Sequence, residues 1–238
     1  MRISLSAFDV DDIENPIIRL YPEVLHRSVG RLLLPGQISL LYGETKAPLT
    51  RLAHFITCSI AEKHQVLFLD SSNNYNASLV KRYLERFQNR RDVLENILVG
   101  KVLSLSDLVN LTEQVDEIQN LRCIVLDSLS GVLNLSGSPG AIERQRFLFK
   151  TLHVMRKLVN LTDIHFVSTS YSTQDWDTGE RRPIGGNVLA HNLDSILRVN
   201  IIDEKKKILQ IEIERSSMPT NHDIFALKSS ISGFRTIS

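Results

Sequence analysis

Gly43 and Thr50 stand at the first and last positions of an eight-residue spacing, G-x-x-x-x-G-K-[ST], whose backbone amides cradle phosphates between a strand and a helix. An apolar stretch, Ile38 to Tyr42, precedes the segment, and a helical pattern from Leu49 to about Lys63 follows it. Between the two ends the chemistry has gone: Pro48 occupies the second glycine position and Leu49 the lysine position. Proline lacks an N–H and fixes φ near −65°, so one donor and one left-handed backbone option are lost. Leucine supplies no cation for the outer phosphates, where one charge pair at 4 Å is worth about 4 kcal/mol at an effective dielectric near 20. Lys46 lies three residues early and needs a different loop path to substitute. From these residues alone, a chance strand–loop–helix remains as open as a degenerate phosphate loop.

Asp127 ends a second apolar strand, where a Walker B carboxylate orients Mg²⁺ through water. A strand-terminal aspartate also serves as an ordinary helix cap, and both readings stand at this point. In the stretch from Arg181 to His191, Arg181 and Arg182 precede Pro183 and the pair Gly185 and Gly186. This makes a basic loop whose backbone can approach a phosphate chain, with Trp176 just upstream to stack on a base. The alternative is a solvated turn with the tryptophan folded onto the core. His191 has no acids or thiols at metal spacing around it and reads as structural, and no Ser/His/Asp or Cys/His arrangement stands out. No metal site is expected.

The elements that must hold these residues follow from periodicity. Gln65–Asp70, Asn96–Gly100, Arg122–Asp127 and Ile164–Ser168 read as short, mostly apolar strands. Helices are expected over Ala77–Gln88, over Ser106–Gln119 with Ser106 as N-cap, and over Glu143–Leu161. In the last, Phe147, Leu148, Leu152, Met155, Leu158 and Val159 make one apolar stripe. After a loop at 171–187, Ser195–Asn200 and Ile208–Glu214 read as a hairpin closed by Asp203–Lys207, with short strands at Ile224–Leu227 and Phe234–Ile237. Alternating βα units ending in an antiparallel meander give an α/β fold with a mainly parallel sheet.

At 238 residues and 42% hydrophobic, the chain can bury a full core as one domain over 31–238, with a partly helical extension over 1–30. A net charge of +1 argues against a protein that coats polyanions, though not against a local basic patch. Cys58 and Cys123 lie in apolar stretches without C-x-x-C spacing and read as buried thiols of a reducing compartment. No apolar run reaches about 18 residues and no signal region opens the chain, so an intracellular, cytoplasmic protein without membrane contact is expected.

Taken in order, these segments resemble the core of the RecA/RadA recombinase family in its archaeal and eukaryotic branch. Leu41 to Glu44 with Thr50, Leu52 and Ala53 is similar to that branch's G-E-x-G-S-G-K-T-x-L-A, and Ile124 to Leu129 to its Walker B strand. Glu143 to Gln145 resembles the start of the helix after the first DNA-binding loop. Arg182 to Gly186, with Leu189 to His191 and Leu197 to Val199, resembles the exit from the second. Ser216 to Pro219 resembles the segment that caps ATP from a neighbouring subunit. The resemblance spans about residues 36–238. It implies a RecA-like fold, with Gly43, Glu44, Thr50 and Asp127 as remnants of a nucleotide site. Trp176, Arg181, Arg182, Gly185 and Gly186 become candidate DNA contacts.

The departures carry the functional expectation. Besides the lysine and two glycines, the family's Asp-Thr-Glu, whose glutamate activates water, is here Asp70, Ser71 and Ser72. Its Thr-Asn-Gln, which senses the γ-phosphate, is Ser168, Thr169 and Ser170, and Pro139 replaces an arginine in the first DNA loop. Losing one such electrostatic stabiliser costs two or more orders of magnitude in rate. The expectation is a non-catalytic paralogue, a pseudo-ATPase to which ATP and Mg²⁺ bind weakly or not at all. It would act in homologous recombination and DNA repair through a catalytic RadA-type recombinase or another paralogue, with weak single-stranded DNA contact. A regulatory subunit of another RecA-like assembly without a DNA role is the competing expectation, and an NTPase that recruits Lys46 is the third.

Overall fold

A computed structural model of the chain describes residues 34–134, 141–162, 164–174, 179, 181–184, 186–217 and 224–237. The expected N-terminal extension, Trp176 and Gly185 lie outside the described residues. Five strands form the parallel part of one sheet together with β7. These are β1 (Ile38–Gly43), β2 (Gln65–Asp70), β3 (Ile97–Lys101), β4 (Leu121–Asp127) and β5 (His165–Gln174). β6 (Arg181–Pro183) folds back antiparallel on β5. Then β7 (Ser195–Asp203), β8 (Ile208–Arg215), β9 (Ile224–Ser230) and β10 (Gly233–Thr236) run as an antiparallel meander. The order is β10-β9-β8-β7-β1-β5-β4-β2-β3, so β1 lies between β5 and β7 at the centre.

The helices divide between the two faces. α1 (Lys46–Ala61), α2 (Ala77–Leu84) and α3 (Arg90–Glu95) bury Phe55, Ile56, Tyr83 and Val93 against Leu41, Phe68, Val125 and Val199. The opposite core forms under α4 (Leu105–Gln114), α5 (Leu129–Asn134), α6 (Ala141–Leu161) and α7 (Gly186–Asn192). There Leu108, Val132, Leu152, Met155 and Leu189 meet Leu40, Tyr42, Leu69 and Phe166. β1 thus feeds both cores by strict alternation, as a strand covered on two faces must.

Several boundaries differ from those expected, each for a local reason. α1 starts at Lys46 rather than Leu49, because a proline in the first turn removes an N–H that has no intrahelical partner anyway. α4 is capped by Ser104, not Ser106: Ser104 Oγ accepts from Asp107 N–H at 3.1 Å, while the Asp107 carboxylate accepts from Leu103 N–H at 2.7 Å. The helix expected over 77–88 ends at Leu84, and a second short helix forms at Arg90–Glu95. The presumed loop from 171 holds the polar end of β5, its partner β6, and α7. No described helix is long and apolar enough to cross a membrane.

Candidate functional site

The C-terminal ends of β1, β2, β4 and β5 meet along one rim, the place where open α/β sheets hold ligands. Gly43 ends β1, and strand pairing sets Asp70 beside Asp127 and Leu41 beside Thr169. The glycine is required: a Cβ there would lie 2.4 Å from the Val199 carbonyl oxygen of β7. Only Glu44 and Thr45 separate β1 from the helix, so residues 46–50 of the phosphate-loop spacing are already helical. Pro48 and Leu49 are buried, and Leu49 belongs to the α1-side core at 2% exposure. Lys46 is exposed on the first helical residue.

Asp127 is 2% exposed. Its Oδ1 accepts from Thr169 Oγ1 at 2.6 Å, and its Oδ2 has no hydrogen-bond partner among the described residues. Thr50 Oγ1 and the Asn74 side-chain amide are likewise buried without partners there. Asp70 is a turn cap: its carboxylate accepts from the N–H groups of Ser72, Asn74 and Tyr75 at 2.8–3.1 Å. Ser71 Oγ donates to the Ser128 carbonyl at 2.7 Å and accepts from Ser128 N–H at 2.8 Å, joining the ends of β2 and β4. Ser72, at the position of the water-activating glutamate, lies against Ser71 and the α5 backbone at Gly131.

His54, which no sequence pattern singles out, fastens α1 to the loop after β2. Its Nε2 accepts from Asn76 N–H at 2.9 Å, so Nδ1 carries the proton and donates to the Thr50 carbonyl at 2.7 Å. The ring packs with Phe68 and Tyr75 in a three-ring cluster, with centroids at 4.8 and 5.5 Å. Burial lowers its pKa, offset in part by the Thr50 carbonyl and by the charges of Asp127 and Asp70. Burial likewise pushes the Cys58 thiol up to about 12, so it stays a thiol.

On the β5 side of the rim, Arg181 and Arg182 sit exposed on β6, opposite Gln174 and Thr173. Arg181 Nε lies 2.5 Å from the Glu44 carboxylate. Two residues expected to serve different ligands are thus paired with each other across the rim, a contact invisible in the sequence. Gly186 begins α7. Among the described residues no group of three or more His, Cys, Asp or Glu could hold a metal.

A central parallel sheet, a strand–turn–helix with a phosphate-loop spacing, and a carboxylate at the end of β4, one strand removed from β1, define a RecA-like α/β protein. The chain belongs to the Rad51 family, whose model matches residues 26–232. Among its relatives, the human "Meiotic recombination protein DMC1/LIM15 homolog" is 24% identical over 209 residues, covering 78% of this chain and 61% of that protein. The Mycosarcoma maydis "DNA repair protein RAD51" is 23% identical, covering 81% and 62%. The Thermoplasma acidophilum "DNA repair and recombination protein RadB" is 24% identical over 186 residues, covering 76% and 78%. The chain therefore spans about three-fifths of the length of the first two. A crystal structure of the RadB recombinase superposes with a TM-score of 0.72 at 16% identity, covering 90% of this chain and 96% of that one. The fold expected from the resemblance is the fold observed.

Proposed function

We propose that this chain is a non-catalytic member of the Rad51 family, acting in homologous recombination and DNA repair as an accessory to a catalytic recombinase or to another paralogue. One observation supports this most: the segment that would cradle a triphosphate is helix from Lys46, with Leu49 buried in the core where the family has its lysine. Pro48 offers no N–H there. Asp127 and Thr50 keep buried oxygens that suit a hydrated cation, but without the lysine the residues present do not fit a tightly held Mg·ATP. The names of the relatives support the process, recombination and repair.

Co-purification of the tagged chain from its native cells tests the reading. Recombination enzymes among the captured proteins are expected. A set of partners without any recombinase or repair enzyme contradicts it and favours a regulatory subunit of a different RecA-like assembly.

A further inference from the structure

Several arginines of the described residues are committed to partners within the fold. Arg51 reaches the Ser230 carbonyl and the face of Phe234, Arg156 binds Asp194 and the Asn192 carbonyl, and Arg181 binds Glu44. α6 differs. Its inner face buries Leu148, Leu152, Met155, Leu158 and Val159. Its outer face exposes Arg146, Lys150, His153 and Lys157, none of which has an acid at ion-pair distance among the described residues. At 3.6 residues per turn these four fall in a sector about 60° wide and run about 16 Å along the axis. The helix contains one acid, Glu143, in the first turn, where the helix dipole favours it. A face that served only solvation would interleave acids at i+4; here Arg146 and Lys150, four apart, repel each other instead.

Phe149 stands 52% exposed on the flank of this column, next to Arg146 and His153, three residues before it and four after it. The other exposed apolar residues of α6, Ile142 and Leu161, lie about 28 Å apart at its two ends. They form no contiguous apolar centre of the kind a protein interface buries. A straight row of cations with one aromatic beside it suits a linear polyanion carrying flat bases.

We propose that the outer face of α6 is a single-stranded nucleic-acid-binding surface, with Arg146, Lys150 and Lys157 on successive phosphates and Phe149 stacking a base. This rests on the reading that the chain works on DNA, and it locates the contact away from the sheet rim.

The test is fluorescence anisotropy with a labelled 30-nucleotide oligo-dT and a 30-base-pair duplex between 25 and 200 mM NaCl. Changing Arg146, Lys150 and Lys157 together to Gln is expected to weaken oligo-dT binding at least tenfold at 50 mM. With about 0.7 of a counterion released per phosphate, the log–log salt slope should become shallower by about 2. Phe149→Ala is expected to weaken the single strand fivefold or more and leave the duplex within twofold. Should the triple variant lose its helical circular dichroism, the three single Gln variants, each expected to lose two- to fivefold, carry the test. Binding by the triple variant within twofold of wild type overturns the proposal. So does equal competition by polyglutamate of matched charge, which would mark an acidic protein as the occupant. No binding by the wild type at 25 mM also overturns it, while leaving the nucleotide-free reading to stand or fall on ATP binding.

Discussion

Restoring the missing lysine by Leu49→Lys should fail to restore nucleotide binding and should damage the fold. Position 49 lies in the first turn of α1 with its side chain among the α1-side core, 2% exposed. Truncating such a leucine costs about 2–5 kcal/mol. An ammonium forced into the same space adds several kcal/mol unless its stem can carry the charge to solvent. The sum, about 4–8 kcal/mol, is comparable with the whole stability of a domain, about 5–15 kcal/mol. Urea denaturation at pH 7.5 should show a midpoint lowered by more than half, whereas the volume-conserving Leu49→Met should lose less than about 1.5 kcal/mol. Fluorescence of a methylanthraniloyl-ATP analogue should remain at the buffer value for Leu49→Lys and for Pro48→Gly combined with Leu49→Lys. Wild-type stability in Leu49→Lys, with micromolar binding of the analogue, would mean that position 49 faces a phosphate site and that the helical start at Lys46 carries no functional meaning.

Other perturbations follow from the same geometry. His165 is buried, with Nδ1 2.5 Å from the Leu34 carbonyl and Nε2 3.0 Å from Ser39 Oγ, and burial lowers its pKa from 6.5 to about 4. The unfolded chain therefore binds the proton first on acidification. Stability is full above about pH 7 and falls between 6.5 and 4, by about 3 kcal/mol for this group. Urea midpoints across that range should fall steeply in the wild type and less so in His165→Gln. Thr169→Val strips the Asp127 carboxylate of its donor at 2.6 Å and should cost about 1–3 kcal/mol by thermal denaturation, with a sub-additive effect when combined with Asp127→Ala. Glu44→Gln breaks a half-exposed ion pair, so stability should change by less than about 1 kcal/mol. Oligo-dT affinity should stay within twofold in that variant, because the proposed contact lies on α6; a fivefold rise would place Arg181 on the path of the DNA.

The sheet was legible because its strands are short apolar runs in a regular βα alternation: Gln65–Asp70 has both ends where the residues indicate, and the α6 stripe of Leu148, Leu152 and Met155 faces the core as spaced. Polar segments were not. Tyr171–Gln174 and Arg181–Pro183 carry no apolar alternation, so their pairing was read as loop. α1 starts three residues before the apolar pattern indicates, because a first-turn proline costs the helix nothing it would otherwise bond. Gly43 and Asp127 end β1 and β4 at the rim, and Glu44 follows Gly43 there. Their partners could not be read from spacing: Thr169 for Asp127, Arg181 for Glu44, and His54 bridging Thr50 to Asn76 all depend on contacts across the sheet.

The central claim is that the nucleotide pocket retains its frame without the groups that grip a triphosphate. Isothermal titration of the purified wild-type chain with Mg·ATP, at protein concentrations that detect millimolar dissociation constants, tests it most directly. No saturable heat is expected at up to 1 mM ATP; micromolar binding accompanied by phosphate release would contradict the account.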